Sequence, residues 1–424
     1  MTIGAGWESW KLAHAYHRIG SGTTPASGNA EYYDDENGTP WITTSELRET
    51  YIKRTSSNVT QSALDDFTTL RTYAPNSVFM AMYGATIGRL GISTMPATCN
   101  QACCVFEASG KFTNRFLFYW LWHRRAELIS LSVGGGQPNL SQQDLKSEIA
   151  LCPPLETQQR IAAFLDEKTA QIDGLIARKQ TLLERLAEKR QAIITQAVTK
   201  GLNPTAPLKD SGIEWLGEMP AHWEKGNIRR FAMMKTGHTP SRSVPEYWDD
   251  CTIPWFTLSD VWQLRDGTRV YIENTAEKIS ALGLSNSAAE LLPAGTVIFS
   301  RTASIGFSGI MPVPMATTQD FWNWICGPKL TPEFLLFMFR AMTQKFAEIT
   351  NGSTHKTIYQ PIAAGLEICV PPGNEQKAIC AYIKEGIQKI DAARSSVSLS
   401  AGRLKEYRSA LITSAVTGQI EGLR

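Results

Sequence analysis

Apolar side chains recur in alternating steps of three and four along two stretches of this chain, residues 153–202 and 371–424. In the first, the stripe is Leu165, Ile172, Leu175, Leu182, Leu186 and Ile193, with Lys168, Lys179 and Lys189 at its other positions. In the second it is Ile383, Ile390, Ala393, Val397, Leu404, Tyr407 and Leu411, interrupted by Gly386 and Ser400. That spacing is a coiled-coil seam and predicts two long helices. A Pro-Pro pair precedes each, Pro153-Pro154 and Pro371-Pro372, where extended backbone is expected before a helix begins. Roughly 42 residues at ~1.5 Å rise make a rod of about 60 Å. A rod of that length overhangs a single domain of ordinary size and needs a partner along it. The other helix is the partner the pattern offers.

Upstream of each stripe the pattern changes. Short runs of β-branched and aromatic residues, such as TPWITTSEL, NSVFMAMYG, IPWFTLSDV and GTVIFSRTAS, are broken by Gly, Pro, Asn and Ser, and read as short strands. Residues 112–131 hold apolar side chains at helical spacing, as does their counterpart 331–349. The expected fold class is α+β: two similar mixed α/β domains joined by two long helices that pair as a coiled coil. The boundaries are 1–152 for the first domain and 153–202 for the central helix. Residues 203–370 hold a Pro- and Gly-rich ordered linker and the second domain, and 371–424 form the C-terminal helix.

The two halves are copies of one unit. RLAEKRQAIITQAVT (185–199) and RLKEYRSALITSAVT (403–417) agree at ten of fifteen positions. The offset of 218 residues also pairs Ile172-Asp173 with Ile390-Asp391, Gln101 with Gln319 and Gly91-Ile92 with Gly309-Ile310. AGWE at 5–8 returns as AHWE at 221–224. A repeat this long is no short-period solenoid, and it implies pseudo-two-fold symmetry.

Charge sharpens the picture. Residues 1–150 and 204–370 carry 12 basic against 13 acidic side chains and 14 against 16, while 151–203 and 371–424 carry 8 against 6 and 8 against 5. A freestanding DNA binder usually has a larger basic excess, because phosphate neutralisation supplies much of its affinity. If the chain binds nucleic acid, another subunit is expected to supply part of the grip. The eight cysteines form no CxxC pair and read as reduced, buried thiols of a cytoplasmic protein without structural zinc. No secretory signal or membrane span is expected. No GxxxxGK[ST], no GxGxxG after a strand and no HExxH occurs. The acidic pairs Asp34-Asp35 and Asp249-Asp250 lack a nearby Glu-x-Lys and read as turn-capping residues rather than a nuclease centre.

LKDSGIEWLGEMPAHWE (208–224), PPLETQQRIAAFLDEKTAQIDGLI (153–176) and KRQAIITQAVTKGL (189–202) with its second copy carry a resemblance. So do SGTTPAS (21–27) with TPWITTSEL (39–47), and TGHTPSR (236–242) with IPWFTLSDV (253–261). The chain resembles, over essentially its whole length, the specificity subunit of Type I restriction-modification systems. The resemblance implies that each globular part is a target recognition domain reading one half of a split site in double-stranded DNA. The helices then pack antiparallel as a spacer on which two modification subunits dock, the matched helix ends facing equivalent subunits, and restriction subunits can join. It implies no catalysis and no cofactor for this chain. S-adenosylmethionine, and ATP and Mg for restriction, belong to the partners.

Base reading in the major groove needs paired donors and acceptors: Arg for guanine, Asn or Gln for adenine, Ser or Thr for either. Candidate DNA-binding positions in the first domain are Thr23, Thr24, Ser45, Tyr83, Arg89, Asn100, Gln101, Gln137 and Asn139. In the second they are Thr239, Ser241, Arg242, Ser259, Arg301, Ser304, Gln319, His355 and Lys356. The domains share a framework and differ in these loops, so an asymmetric site is expected. A duplicated-domain repressor and a coiled-coil adaptor without DNA remain the rivals. Stable specific binding by the chain alone would mark the first.

Overall fold

A computed structural model describes residues 6–131, 139–302, 304–350 and 357–423. The chain packs as two units, Met1–Lys179 with Ser400–Arg424, and Gln180–Leu399. The division cuts through both long helices. The boundaries expected at 152, 202 and 370 therefore mark where helices begin and end, not where packing divides the chain.

The helices run over Leu155–Lys200 and Gly373–Val416. At ~1.5 Å per residue these are about 69 and 66 Å long, somewhat longer than expected. The inward face also differs in phase. Leu175 and Leu182 are 45% and 43% exposed, and Tyr407 is exposed at 58%. Ile176, Leu183 and Arg408 are the half-buried positions instead, so the seam steps four then three rather than three then four. Leu165, Ile172, Ile383 and Ile390 are buried, while Leu186, Ile193, Val397, Leu404 and Leu411 are half-buried. In the second unit Arg190 approaches Asp391 at 3.6 Å, and a Cβ on Gly386 would meet Ile193 at 3.4 Å. Numbers rise along one helix as they fall along the other, so the helices pair antiparallel there. In the first unit the equivalent pair is Arg408 with Asp173.

In the first unit a five-stranded sheet runs in the order Ile19–Gly20, Cys103–Phe106, Val78–Ala81, Leu90–Ser93, Thr50–Ile52. Only its last pairing is parallel. The second unit keeps four strands of it, Ala232–Thr236, Phe321–Cys326, Val297–Ser300 and Ser308–Ile310, all antiparallel. A three-stranded sheet recurs in both, Asn58–Val59, Thr39–Ile42, Thr98–Cys99 and Glu277–Ile279, Ile253–Phe256, Ala316–Thr317. These strands hold mainly β-branched, aromatic and small side chains, which suit a pleated, buried surface. The helix expected at 112–131 spans Asn114–Ser130, with Thr113 as its N-cap. Its counterpart breaks into Pro332–Ala341 and Thr343–Thr350, where the Thr343 hydroxyl donates to the Arg340 carbonyl at 2.8 Å. The linker is ordered and contains a hairpin, Leu208–Asp210 with Glu218–Pro220.

Each core is closed by the start of one long helix and the end of the other. Ile161 and Leu165 join Ile412, Ala415 and Val416 in the first unit. Ile379, Ile383 and Ile387 join Ile194, Ala197 and Val198 in the second. The apolar face of the best-matched repeat segment therefore fills the domain core, and both copies must fit equivalent cores. Each helix then ends on a left-handed glycine, Gly201 at φ 72° and Gly418 at φ 71°. A Cβ there would meet Trp223 at 3.1 Å and Trp7 at 2.8 Å, so only glycine makes this tryptophan-capped stop.

The start of each helix is fixed by a buried glutamine. Gln158 donates to the carbonyls of Lys111 and Pro153, both at 2.8 Å, and accepts from the Thr113 N–H at 2.7 Å. Gln376 donates to Lys329 and Pro371 at 2.7 and 2.8 Å and accepts from the Thr331 N–H at 2.8 Å.

Candidate nucleic-acid interface

The loop that follows the first edge strand in each unit is pressed against the three-stranded sheet. A Cβ on Gly22 would lie 1.7 Å from the Cys99 carbonyl oxygen, and one on Gly237 would lie 2.0 Å from that of Thr317. Glycine is required at both places because the backbones touch. Aromatic side chains hold the loop down. Tyr73 donates to the Ser21 carbonyl at 3.0 Å, Trp41 to Thr23 at 3.2 Å and Tyr33 to Pro25 at 2.9 Å. In the second unit Trp248 donates to the Ser241 carbonyl at 3.1 Å.

Pinned in this way, the loop places one hydroxyl on one amide in each unit. The Thr24 hydroxyl donates to Gln101 Oε1 at 2.6 Å, and the Thr239 hydroxyl to Gln319 Oε1 at 2.9 Å. Both glutamines are exposed. In the first unit Tyr83 stands at the same amide. Burial pushes its hydroxyl above the ordinary tyrosine range, against a hydrogen bond from Gln101 that lowers it. Tyr83 also bridges Asn139, and the Asn100 side chain accepts the Ala102 N–H at 3.2 Å. The structure thus brings Thr24, Tyr83, Asn100, Gln101 and Asn139 into one group, with the half-buried Thr23 beside it.

Backbone pairing gives the repeat alignment here. Leu140 N–H donates to the Met82 carbonyl at 2.8 Å, and Ile358 N–H to the Arg301 carbonyl at 2.9 Å. Arg301 therefore occupies the place of Met82, and Thr302 that of Tyr83; the second unit has one residue fewer before Gly306. The Arg301 guanidinium lies 4.6 Å over the Trp322 ring and makes no ion pair among the described residues. Thr302 and Thr318 donate to the two oxygens of Asp320 at 2.9 and 3.0 Å. Ser304 donates its N–H to the Thr302 carbonyl.

Other candidates are engaged elsewhere. Ser45 and Ser259 close their own turns, bonding Thr43 at 2.7 Å and Thr257 at 2.6 Å. Burial pushes the neighbouring Glu46 carboxyl up, but hydrogen bonds from Ser56 and Thr43 outweigh it and hold it below its ordinary range. Ser241 bonds Ser243 at 2.8 Å. Arg242 is paired with Glu277 at 2.8 Å and stacked 4.4 Å over Trp248. These three hydroxyls and one charge make contacts within their own loops. Arg89 is exposed and lies beside Arg125. Gln137, His355 and Lys356 lie outside the described residues. Asp34 caps its own turn, accepting the N–H groups of Glu36 and Asn37 at 3.0 and 3.1 Å.

A basic group was missed by the search for base readers. Arg48, Lys53 and Arg54 line an open hollow of about 580 Å³ with Thr50, Thr55 and Ser56. Lys53 and Arg54 make no ion pair among the described residues, which suits contacts to phosphate oxygens. Their signal was the cluster YIKRTSS itself. Among the described residues no three His, Cys, Asp or Glu side chains could hold a metal ion, and no helix is long and apolar enough to cross a membrane.

A duplicated domain with one common hydroxyl–amide pair and divergent surroundings defines a two-headed recognition scaffold. The chain matches the Type I restriction modification DNA specificity domain over residues 7–185 and again over 220–395, and it belongs to that family. It is 28% identical over 170 residues to the Type I restriction enzyme MjaIX specificity subunit of Methanocaldococcus jannaschii, covering 40% of this chain and 38% of that one. The HindI specificity subunit of Haemophilus influenzae is 25% identical, over 48% of this chain and 42% of its own length. These alignments thus span about two fifths of each relative. The MjaVIII specificity subunit of M. jannaschii matches at 20% identity over 81% of this chain and 79% of its own. The fold is that of a chain solved in work on complex assembly and conformational transition of the type I R-M system, with TM-score 0.74, 16% identity and 99% and 100% of the two chains covered. The HsdS subunit of Thermoanaerobacter tengcongensis aligns with TM-score 0.53 at 16% identity, over 99% of each chain.

Proposed function

We propose that this chain is the sequence-reading subunit of a Type I restriction-modification complex, working in the cytoplasm on double-stranded DNA. Each unit reads one half of an asymmetric bipartite site. The long helices set the gap between half-sites and dock two modification subunits, and restriction subunits join the same assembly. Methyl transfer from S-adenosylmethionine, and ATP- and Mg-dependent cleavage, belong to those partners; this chain binds no cofactor and catalyses nothing.

One observation carries the reading. Two cores built from equivalent residues carry different side chains at equivalent places beside the shared pair, the half-buried Tyr83 against the half-buried Thr302, and the buried Met82 against the half-buried Arg301. Two readers of unlike half-sites need that combination. The near-neutral charge of both globular parts supports shared DNA binding with partners.

Genome-wide methylation mapping in cells with and without the chain tests the proposal. A split, non-palindromic methylated motif should vanish when the chain is removed; an unchanged methylome would sink the reading. Inserting one helical turn beside Lys179 should lengthen the unspecified gap, since half-site spacing follows protein geometry. An unaltered gap would remove the ruler role while leaving the reading role.

A further inference from the structure

We infer that Gln101 and Gln319 hold a phosphate of their own half-site, each in the same place, and carry no sequence information. The inference rests on the specificity-subunit reading and assigns the work within its DNA surface.

In both units a threonine hydroxyl occupies Oε1, at 2.6 Å in one and 2.9 Å in the other. The hydroxyl fixes which end of the amide is oxygen and leaves Nε2 as the donor end; in the first unit one of its two N–H groups serves the Tyr83 hydroxyl, and the second is left for a ligand. A fixed donor on an exposed side chain matches a phosphate oxygen, which only accepts. Adenine, the usual base partner of glutamine, asks for a donor and an acceptor side by side. The second step is the comparison between units. The residues around the glutamine differ between the units: half-buried Tyr83 against half-buried Thr302, buried Met82 against half-buried Arg301, and buried Ala102 against half-buried Asp320. The pair itself, and the glycine that presses its loop onto the sheet, are the same in both. Side chains that report different bases differ between readers of different half-sites. A contact kept unchanged through that divergence is suited to the part of DNA that is the same everywhere, its backbone. Such contacts set the register in which the variable side chains meet the bases.

The test uses the full chain with its modification subunits. The double variants Gln101→Ala with Gln319→Ala, and Gln101→Glu with Gln319→Glu, are compared with the parent for methylated motif and for methylation rate at limiting complex. Glutamate keeps the shape and still accepts the threonine hydroxyl, so it guards against a mere folding failure. Expected is an unchanged motif with the rate lowered roughly tenfold or more by either change, as for loss of a hydrogen bond to a charged group. Glutamate should be the worse, because it repels the phosphate. A motif relaxed at one base by alanine, or moved toward cytosine by glutamate, overturns the phosphate assignment, because a carboxylate accepts from cytosine N4. An unchanged rate overturns it too. A parent chain on which no methylated motif depends removes the specificity reading and this inference together.

Discussion

Both units turn the chain through a left-handed corner beside the long helices, and they do so with different chemistry. In the first the corner is Glu49 at φ 56°, and its carboxylate pairs with Arg125 at 2.9 Å. Burial pushes the Arg125 guanidinium below its ordinary range, and Glu49 opposes the shift. Arg125 and Arg408 both stack on Trp122, at 5.2 and 5.0 Å. In the second the corner is Gly267 at φ 66°, and its carbonyl accepts from Arg190 and, at 2.7 Å, from Arg340. Burial lowers the Arg340 guanidinium to about 10. Both corners need left-handed backbone, although the pairing of Tyr51 with Ile92 and of Tyr271 with Ile310 sets Gly267 two residues earlier in its unit than Glu49 in the other; glycine meets the demand without strain, whereas glutamate brings a paired charge to it. Where the repeat must fit its helices, geometry is kept and chemistry is exchanged; where it faces outward, both are free to differ.

The largest test of this pairing is to end the chain after Ala410. That removes Ile412, Ala415 and Val416 from the first core and nothing from the second. Hydrogen exchange should lose protection over Val78–Ala81 and Cys103–Phe106 and keep it over Val297–Ser300. Loss in both units alike would show that the cores are not separately closed. Next come the single truncations Ile412→Ala and Ile194→Ala, each expected to cost ~2–5 kcal/mol as a fully buried aliphatic. Exchange should place the first loss in unit one and the second in unit two. The helix-start glutamines sharpen the likeness. Gln158→Leu and Gln376→Leu each strand a buried N–H and two carbonyls, for ~1–3 kcal/mol or somewhat more, similar in the two units by denaturant titration. A clear inequality would mean that the two cradles are not equivalent. The corner should give the smallest and least symmetric effect. Gly267→Ala should cost ~1–2 kcal/mol, since it forces a Cβ into left-handed backbone. Glu49→Gly should be near neutral, its relief of about 1 kcal/mol offsetting a half-buried ion pair. Equal effects at both corners would refute the account given for Glu49.

Much of this molecule was legible in order of its locality. Helix existence followed from the stripe and the Pro-Pro starts. Phase did not, because leucine at 175 and 182 and isoleucine or leucine at 176 and 183 offer two stripes of similar strength. Arginines at 190 and 408 complete the second one through Asp391 and Asp173, a pairing that no periodicity records. Thr24 and Gln101 were both named as site residues, but their bond spans 77 positions and depends on the parallel pairing of Trp41-Ile42 with Thr98-Cys99. The bonds of Ser45 and Ser259 to Thr43 and Thr257 were not legible, because a turn-closing hydroxyl and a free one look alike in sequence. Met82 and Arg301 were not seen as counterparts because the one-residue difference before Gly306 hides between two matched strands.

The exchange of helix ends has a consequence for how the protein comes into being. A chain emerging from the ribosome has Ile194, Ala197 and Val198 in hand before the second unit is made, so that core can close as soon as residue 387 appears. The first unit, synthesised earlier, must wait for residues 412–416. The older half of the nascent chain is therefore the last to mature, and it stands with an unfilled apolar slot through the making of the younger half. Slow translation across residues 204–399 would lengthen that exposure, and chaperones that shield apolar surface would find their substrate in the first unit rather than the second.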